Sequence, residues 1–126
     1  MVISRFEDIE SWQRARELAA DVYGQSTQGT FRKDFGLRDQ IQRACVSIMA
    51  NIAEGFGRSG ATEFIRYLTI AHASTTEVQS HLYVALDLQY ITQPDFDRLY
   101  GSAESVRKLI GGFIRYLGNQ KLGTRN

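Results

Sequence analysis

Apolar residues recur along this chain at alternating steps of three and four, and nothing alternates with period two over a convincing length. Such spacing keeps side chains on one stripe of an α-helix. The clearest stripe is Phe96, Leu99, Ala103, Val106, Ile110, Phe113 and Leu117, and Phe64, Leu68, Ala71, Thr75, Val78, Leu82 and Ala85 repeat it. Leu37, Ile41, Ala44, Ile48 and Ile52 form a third stripe, and Ile9, Trp12, Ala15, Ala19 and Val22 a fourth. The pattern predicts helices at about 8–26, 35–56, 60–90 and 94–117. Punctuation agrees. Gly29 and Gly36 bracket the first connection, Gly55, Gly57 and Gly60 mark the second, and Thr92 with Asp95 makes a capping-box pattern around Pro94. Short connections between long helices favour antiparallel neighbours. The expected fold class is therefore all-α, an up-down-up-down four-helix bundle over residues 1–117, with 118–126 as a flexible C-terminal tail.

Composition narrows the function classes more than it selects one. The 126 residues are 43% hydrophobic and 23% charged, the make-up of one soluble globular domain. A domain of this size needs neither disulfides nor a metal to fold. Fifteen Lys and Arg against fourteen Asp and Glu leave a net charge of +1, so any polyanion site must be local. Charge is uneven: residues 7–26 hold five acids and two arginines, whereas 93–126 hold six basic residues and three acids. The first and last helices should then be neighbours with complementary faces, or the last helix should face a polyanion. Cys45, the single cysteine, cannot form an intramolecular disulfide, and no apolar stretch approaches the roughly 18–20 residues that cross a bilayer. The chain reads as cytoplasmic, with no membrane partner.

The second predicted helix carries a polar stripe beside its apolar one. At about 100° per residue, Gln40, Arg43, Ser47, Asn51, Glu54 and Arg58 fall within an arc of about 80°. Ser47 lies four residues from both Arg43 and Asn51, and Asn51 lies three from Glu54, so neighbours can share hydrogen bonds. Ala44, Ala50 and Ala53 would let another backbone approach closely. A half-buried polar network that fixes helix register is the structural reading of this stripe.

Three stretches carry a family resemblance: FEDIESWQRARELA at the start, FGLRDQIQRACVSIMANIAEGFGR from Phe35 to Arg58, and FIRYLTIAHASTTEVQSHL from Phe64 to Leu82. Over about residues 6–117 the chain resembles the small bacterial four-helix bundle proteins encoded in 23S rRNA intervening sequences, relatives of the accessory protein of diversity-generating retroelements. The resemblance implies a ring-like homopentamer, no catalysis, and a link to RNA or other nucleic acid. Carried onto this chain, the family's polar positions are Arg43, Ser47, Asn51, Glu54, Gly55 and Arg58, with Ser74 and Glu77 on the third helix. Met49 stands where relatives often have proline, which implies a straighter second helix here.

Other chemistry is weaker. Gly55, Gly57 and Gly60 spell G-x-G-x-x-G, but the dinucleotide fingerprint needs a strand before it and a helical pattern precedes it here. Glu77 and His81 are spaced to share a metal, yet a di-iron bundle needs Glu-x-x-His motifs that are missing, so neither metal nor cofactor is expected. Cys45 reads as a small buried hydrophobe. Arg66 with His72 loosely fits a small helical ribonuclease, but five intervening residues set them about 240° apart. Ile65, Tyr67, Ile70, Tyr83, Leu86, Tyr90, Leu109, Ile114 and Tyr116 add apolar surface beyond the seams, as an oligomer would use. The leading expectation is a non-enzymatic scaffold in which Arg38, Arg58, Arg107, Lys108 and Arg115, repeated by symmetry, present a basic ring to phosphates. Its competitor is a module that docks an unidentified protein partner without nucleic acid.

Overall fold

The computed structural model describes the backbone of residues 3–124 and the side chains of residues 3–120. It is all-helical, with no strand among the described residues. A 3-10 turn, Phe6–Asp8, leads into α1, Glu10–Ser26; a short α2, Gly29–Lys33, follows, then α3, Phe35–Phe56, α4, Ala61–Asp87, and α5, Gln93–Thr124. The stripes read from the sequence become one core: Leu18, Ile41, Ile48, Ile52, Leu68, Val78, Leu82, Leu99, Val106 and Ile110 are all essentially inaccessible to solvent. The four long helices close a cycle, α3 against α4, α4 against α5, and α1 against both α3 and α5.

Cross-helix contacts run in opposite numerical order along α3 and α4. Asp34 meets Tyr90, Ser47 meets Ser74, and Gly55 meets Phe64 and Tyr67. The same holds between α4 and α5, where Tyr83 meets Phe96 and Tyr100, Gln79 meets Glu104, and Phe64 meets Phe113. Between α1 and α5 the Arg98 guanidinium donates through Nε and Nη2 to both Asp21 oxygens, at 3.0 and 2.9 Å. This bidentate pair is one place where the acidic first helix and basic last helix meet face to face.

Where the boundaries depart from expectation, local geometry supplies the reason. Helix α4 stops at Asp87 rather than at residue 90. Gln89 takes a left-handed φ of +61°, its N–H donates to Leu86 O at 2.9 Å, and Tyr90 N–H donates to Ala85 O at 2.8 Å. That is a Schellman ending built without glycine, so no glycine marks it in the sequence. Helix α5 continues seven residues past the expected end at 117, because backbone hydrogen bonds propagate a helix after its apolar seam has stopped. Residues 125–126 of the expected tail lie outside the described residues. Helix α3 is unbroken through Met49. Its first turn is capped by Asp34, which accepts from Leu37 N–H at 3.1 Å through Oδ1 and from the Tyr90 hydroxyl at 2.9 Å through Oδ2. One carboxylate thus joins the start of α3 to the α4–α5 turn, and that bond raises the Tyr90 phenol above its ordinary value.

A left-handed conformation costs an L-residue about 1–2 kcal/mol, of which glycine's greater chain entropy returns about 0.5–1 kcal/mol. Gln89→Gly is therefore expected to stabilise the fold by up to about 1 kcal/mol, read as a higher urea midpoint with unchanged slope. An unchanged or lower midpoint would show that the Gln89 side chain stabilises the turn itself.

Candidate functional site

The polar stripe of α3 divides in three. At its centre Ser47 Oγ and Ser74 Oγ are 3.0 Å apart across the α3–α4 seam, and Asn51 Nδ2 donates to Ser47 O at 2.8 Å and Ser47 Oγ at 3.1 Å. Ser74 is buried and Ser47 and Asn51 half-buried, so this is a satisfied network at the edge of the core. Toward the C-terminus, Glu54 and Arg58 pair on the surface at 3.0 Å, and the Arg58 guanidinium lies 5.2 Å from the Tyr67 ring centre. Arg43 and Glu77 stand apart from the network: Arg43 is exposed, and Glu77 lies 3.3 Å from His81 Nε2 on its own helix.

Gly55 belongs with this seam for a steric reason. A Cβ placed there would sit 2.8 Å from Tyr67 Cβ, 2.9 Å from Phe64 Cδ1 and 3.3 Å from Phe64 O. Only a residue without a side chain lets α3 and α4 approach this closely. Gly60, at φ +85°, then reverses the chain into α4. The G-x-G-x-x-G spelling is thus a helix ending, a turn and a helix start.

The five basic candidates occupy different parts of the molecule. Arg38, near the start of α3, donates to Asp39 and to Arg32 O and lies over the Phe35 ring at 4.8 Å. Arg58 sits at the other end of α3. Arg107, on α5, is neutralised by Glu104 through contacts of 2.9 and 2.6 Å, and Glu104 also accepts from Gln79 Nε2 at 3.0 Å. These donors hold the Glu104 carboxyl down at about 2, Arg107 being the larger cause. Lys108 and Arg115 are exposed on α5 and make no ion pair among the described residues. Seven residues apart, they lie within about 20° on the helix. Between them is Gly111, where a Cβ would lie 3.7 Å from Arg115 Nη1 and 3.9 Å from His72 Nε2 of α4.

From the sequence, His72 and Arg66 are expected about 240° apart on their helix. The structure ties Arg66 to Glu63 at 3.2 and 3.3 Å, lays it over Tyr67 at 4.6 Å, and turns His72 toward α5. The proximity of His72 and Arg115 left no sequence signal, because it depends on the register between α4 and α5. Glu104 and Arg107 could have been found from their i,i+3 spacing. Cys45 is fully buried, and burial pushes its thiol up to about 12, which leaves it inert.

The close approach at Gly55 generates a test. Alanine would gain about 1 kcal/mol of helix propensity but meets backbone-fixed atoms that cannot swing away, so Gly55→Ala should lose about 1–3 kcal/mol net. Gly57→Ala, whose Cβ would be no closer than 3.6 Å to its neighbours, serves as control in the same urea titration. Equal stability of the two variants would show that the seam opens without cost.

Among the described residues, no helix is long and apolar enough to cross a membrane. No curated protein matches the chain. A solved structure from Bacteroides thetaiotaomicron VPI-5482, described as a protein with unknown function from the S23 ribosomal protein family, superposes with a TM-score of 0.75 at 25% identity, over 82% of this chain and 97% of that one. Residues 7–112 match the profile described as 23S rRNA-intervening sequence protein. With that match spanning both the α3–α4 seam and the first half of α5, the chain belongs to the 23S rRNA-intervening sequence protein family.

Proposed function

We propose that this chain is a non-catalytic cytoplasmic scaffold, an antiparallel up-down-up-down four-helix bundle that assembles as a ring-like homopentamer and binds RNA or other nucleic acid. The opposed numbering of contacts along α3, α4 and α5 supports the antiparallel arrangement. The observation that carries the nucleic-acid reading is the pair Lys108 and Arg115, exposed on one face of α5 with no carboxylate at ion-pair distance among the described residues. Such cations are available to phosphates, whereas Arg58 and Arg107 must first leave Glu54 and Glu104. A net charge of +1 on one protomer gives weak attraction, and repetition around a ring supplies avidity instead.

A specific feature favours the protein-docking reading as the second choice. Ile9, Leu109, Phe113 and Tyr116 line an open groove of about 690 Å³ between the start of α1 and the later part of α5. Val46 on α3 and Ile70 on α4 are also exposed, at 47% and 40%. Apolar surface of this kind fits a subunit or a partner protein.

Fluorescence anisotropy of a labelled structured RNA, titrated at about 50 and about 200 mM salt, separates the two readings. The nucleic-acid reading expects micromolar or tighter binding that weakens steeply with salt and is reduced by Lys108→Glu with Arg115→Glu. Flat titrations with both RNA and DNA would overturn it in favour of protein docking.

A further inference from the structure

The cationic face of α5 continues into an aromatic one. Tyr83 of α4 is 51% exposed, and its ring packs against Phe96 at 4.9 Å and Tyr100 at 5.7 Å. These contacts hold the ring in place while leaving half of it open to solvent. The α4 positions 72, 76, 79 and 83 and the α5 positions 100, 104, 107, 111 and 115 advance by threes and fours, so each set forms one stripe. The stripes meet at Tyr83–Tyr100, at Gln79–Glu104 and at His72–Gly111. They therefore border one outer groove between the two helices, outside the core seam of Val78, Leu82, Ala103 and Val106.

Chemistry along this groove is ordered. At one end are the tyrosines. In the middle the Gln79, Glu104 and Arg107 side chains satisfy one another. At the other end His72 and Arg115 border the space left by Gly111, and Lys108 is exposed one turn earlier on α5. From Tyr100 to Arg115 is about 22 Å along the helix, the reach of a few nucleotides. Asp87, one turn beyond Tyr83, together with Glu104 disfavours phosphate near the tyrosines, while the cations favour it at the far end. A fixed aromatic platform beside a cationic track is what single-stranded nucleic acid requires, because bases stack and phosphates pair electrostatically. Duplex buries its base faces and cannot use the platform.

We infer that the α4–α5 groove is a binding site for single-stranded nucleic acid, in which unpaired bases stack on Tyr83 and Tyr100 while the backbone is held by Lys108 and Arg115. The inference rests on the nucleic-acid reading above and gives it a substrate class and a location.

The test compares three probes on the full chain: a labelled single-stranded RNA of about 12 nucleotides, the same sequence as duplex, and a strand of equal length with abasic positions that retains every phosphate. Wild-type protein should bind the single strand about tenfold more tightly than either other probe. Tyr83→Leu keeps apolar packing but removes the stacking face, and should weaken single-strand binding about tenfold while leaving the salt slope unchanged. Lys108→Glu with Arg115→Glu should weaken all three probes and flatten the slope. Equal affinity for the three probes, with no effect of Tyr83→Leu, would overturn the groove assignment while leaving phosphate recognition standing. Absence of binding to every probe would overturn both. Thermal unfolding of Tyr83→Leu checks folding, and Tyr83→Phe, which retains the ring, should restore single-strand affinity.

Discussion

The contact between α3 and α4 at Gly55 sets the frame for the rest of the molecule. Because no side chain intervenes there, Phe64 and Tyr67 press directly on the α3 backbone. The distance between the two helices is therefore set by a hard steric limit. Eight residues earlier on α3, the Ser47–Ser74 contact fixes how they are rotated and slid against each other. At the far end Asp34 and Tyr90 close the same pair. A helix held at two points along its length and again just past its end presents its opposite flank in a defined register, and that flank meets α5 through Gln79, Tyr83 and His72. The surface assigned to nucleic acid is thus positioned by a seam on the other side of α4.

Apolar burial supplies the gross stability, and polar groups decide which of many packings is used. Leu and Ile stripes tolerate sliding by a turn at modest cost, since one apolar contact replaces another. Hydrogen-bonded pairs do not, because a slide would strand Ser74 or Gln79 at the core edge without a partner. The Arg98–Asp21 pair adds a further constraint between the first and last helices, although its exposure gives it more to say about register than about stability.

Much of this was readable from the sequence. The four apolar stripes became the core with nearly every named position buried, since period and burial are directly linked. Thr92 is found where the capping pattern put it, accepting from Asp95 N–H at 3.2 Å. The short helix Gly29–Lys33 was not legible, because five residues are too few to display a helical period. Nor was the end of α4 legible, since Gln89 carries no bias toward a left-handed turn. In the polar stripe, Ser47 and Asn51 were legible as i,i+4 neighbours within one helix. Their partner Ser74 entered through the family resemblance, because a contact across 27 residues depends on a register that no local pattern encodes. Gln79 with Glu104, and His72 with Arg115, escaped notice on the same grounds.

A weakly charged protomer becomes a credible phosphate binder only if its cations are repeated, so the account turns on assembly. Sedimentation velocity of the full chain at micromolar concentration measures this directly. A homopentamer sediments as a single species at about five times the 14.3 kDa chain mass, stable on dilution. A lone species at the mass of one chain would contradict it, and with it the premise that symmetry gathers Lys108 and Arg115 into one cationic surface.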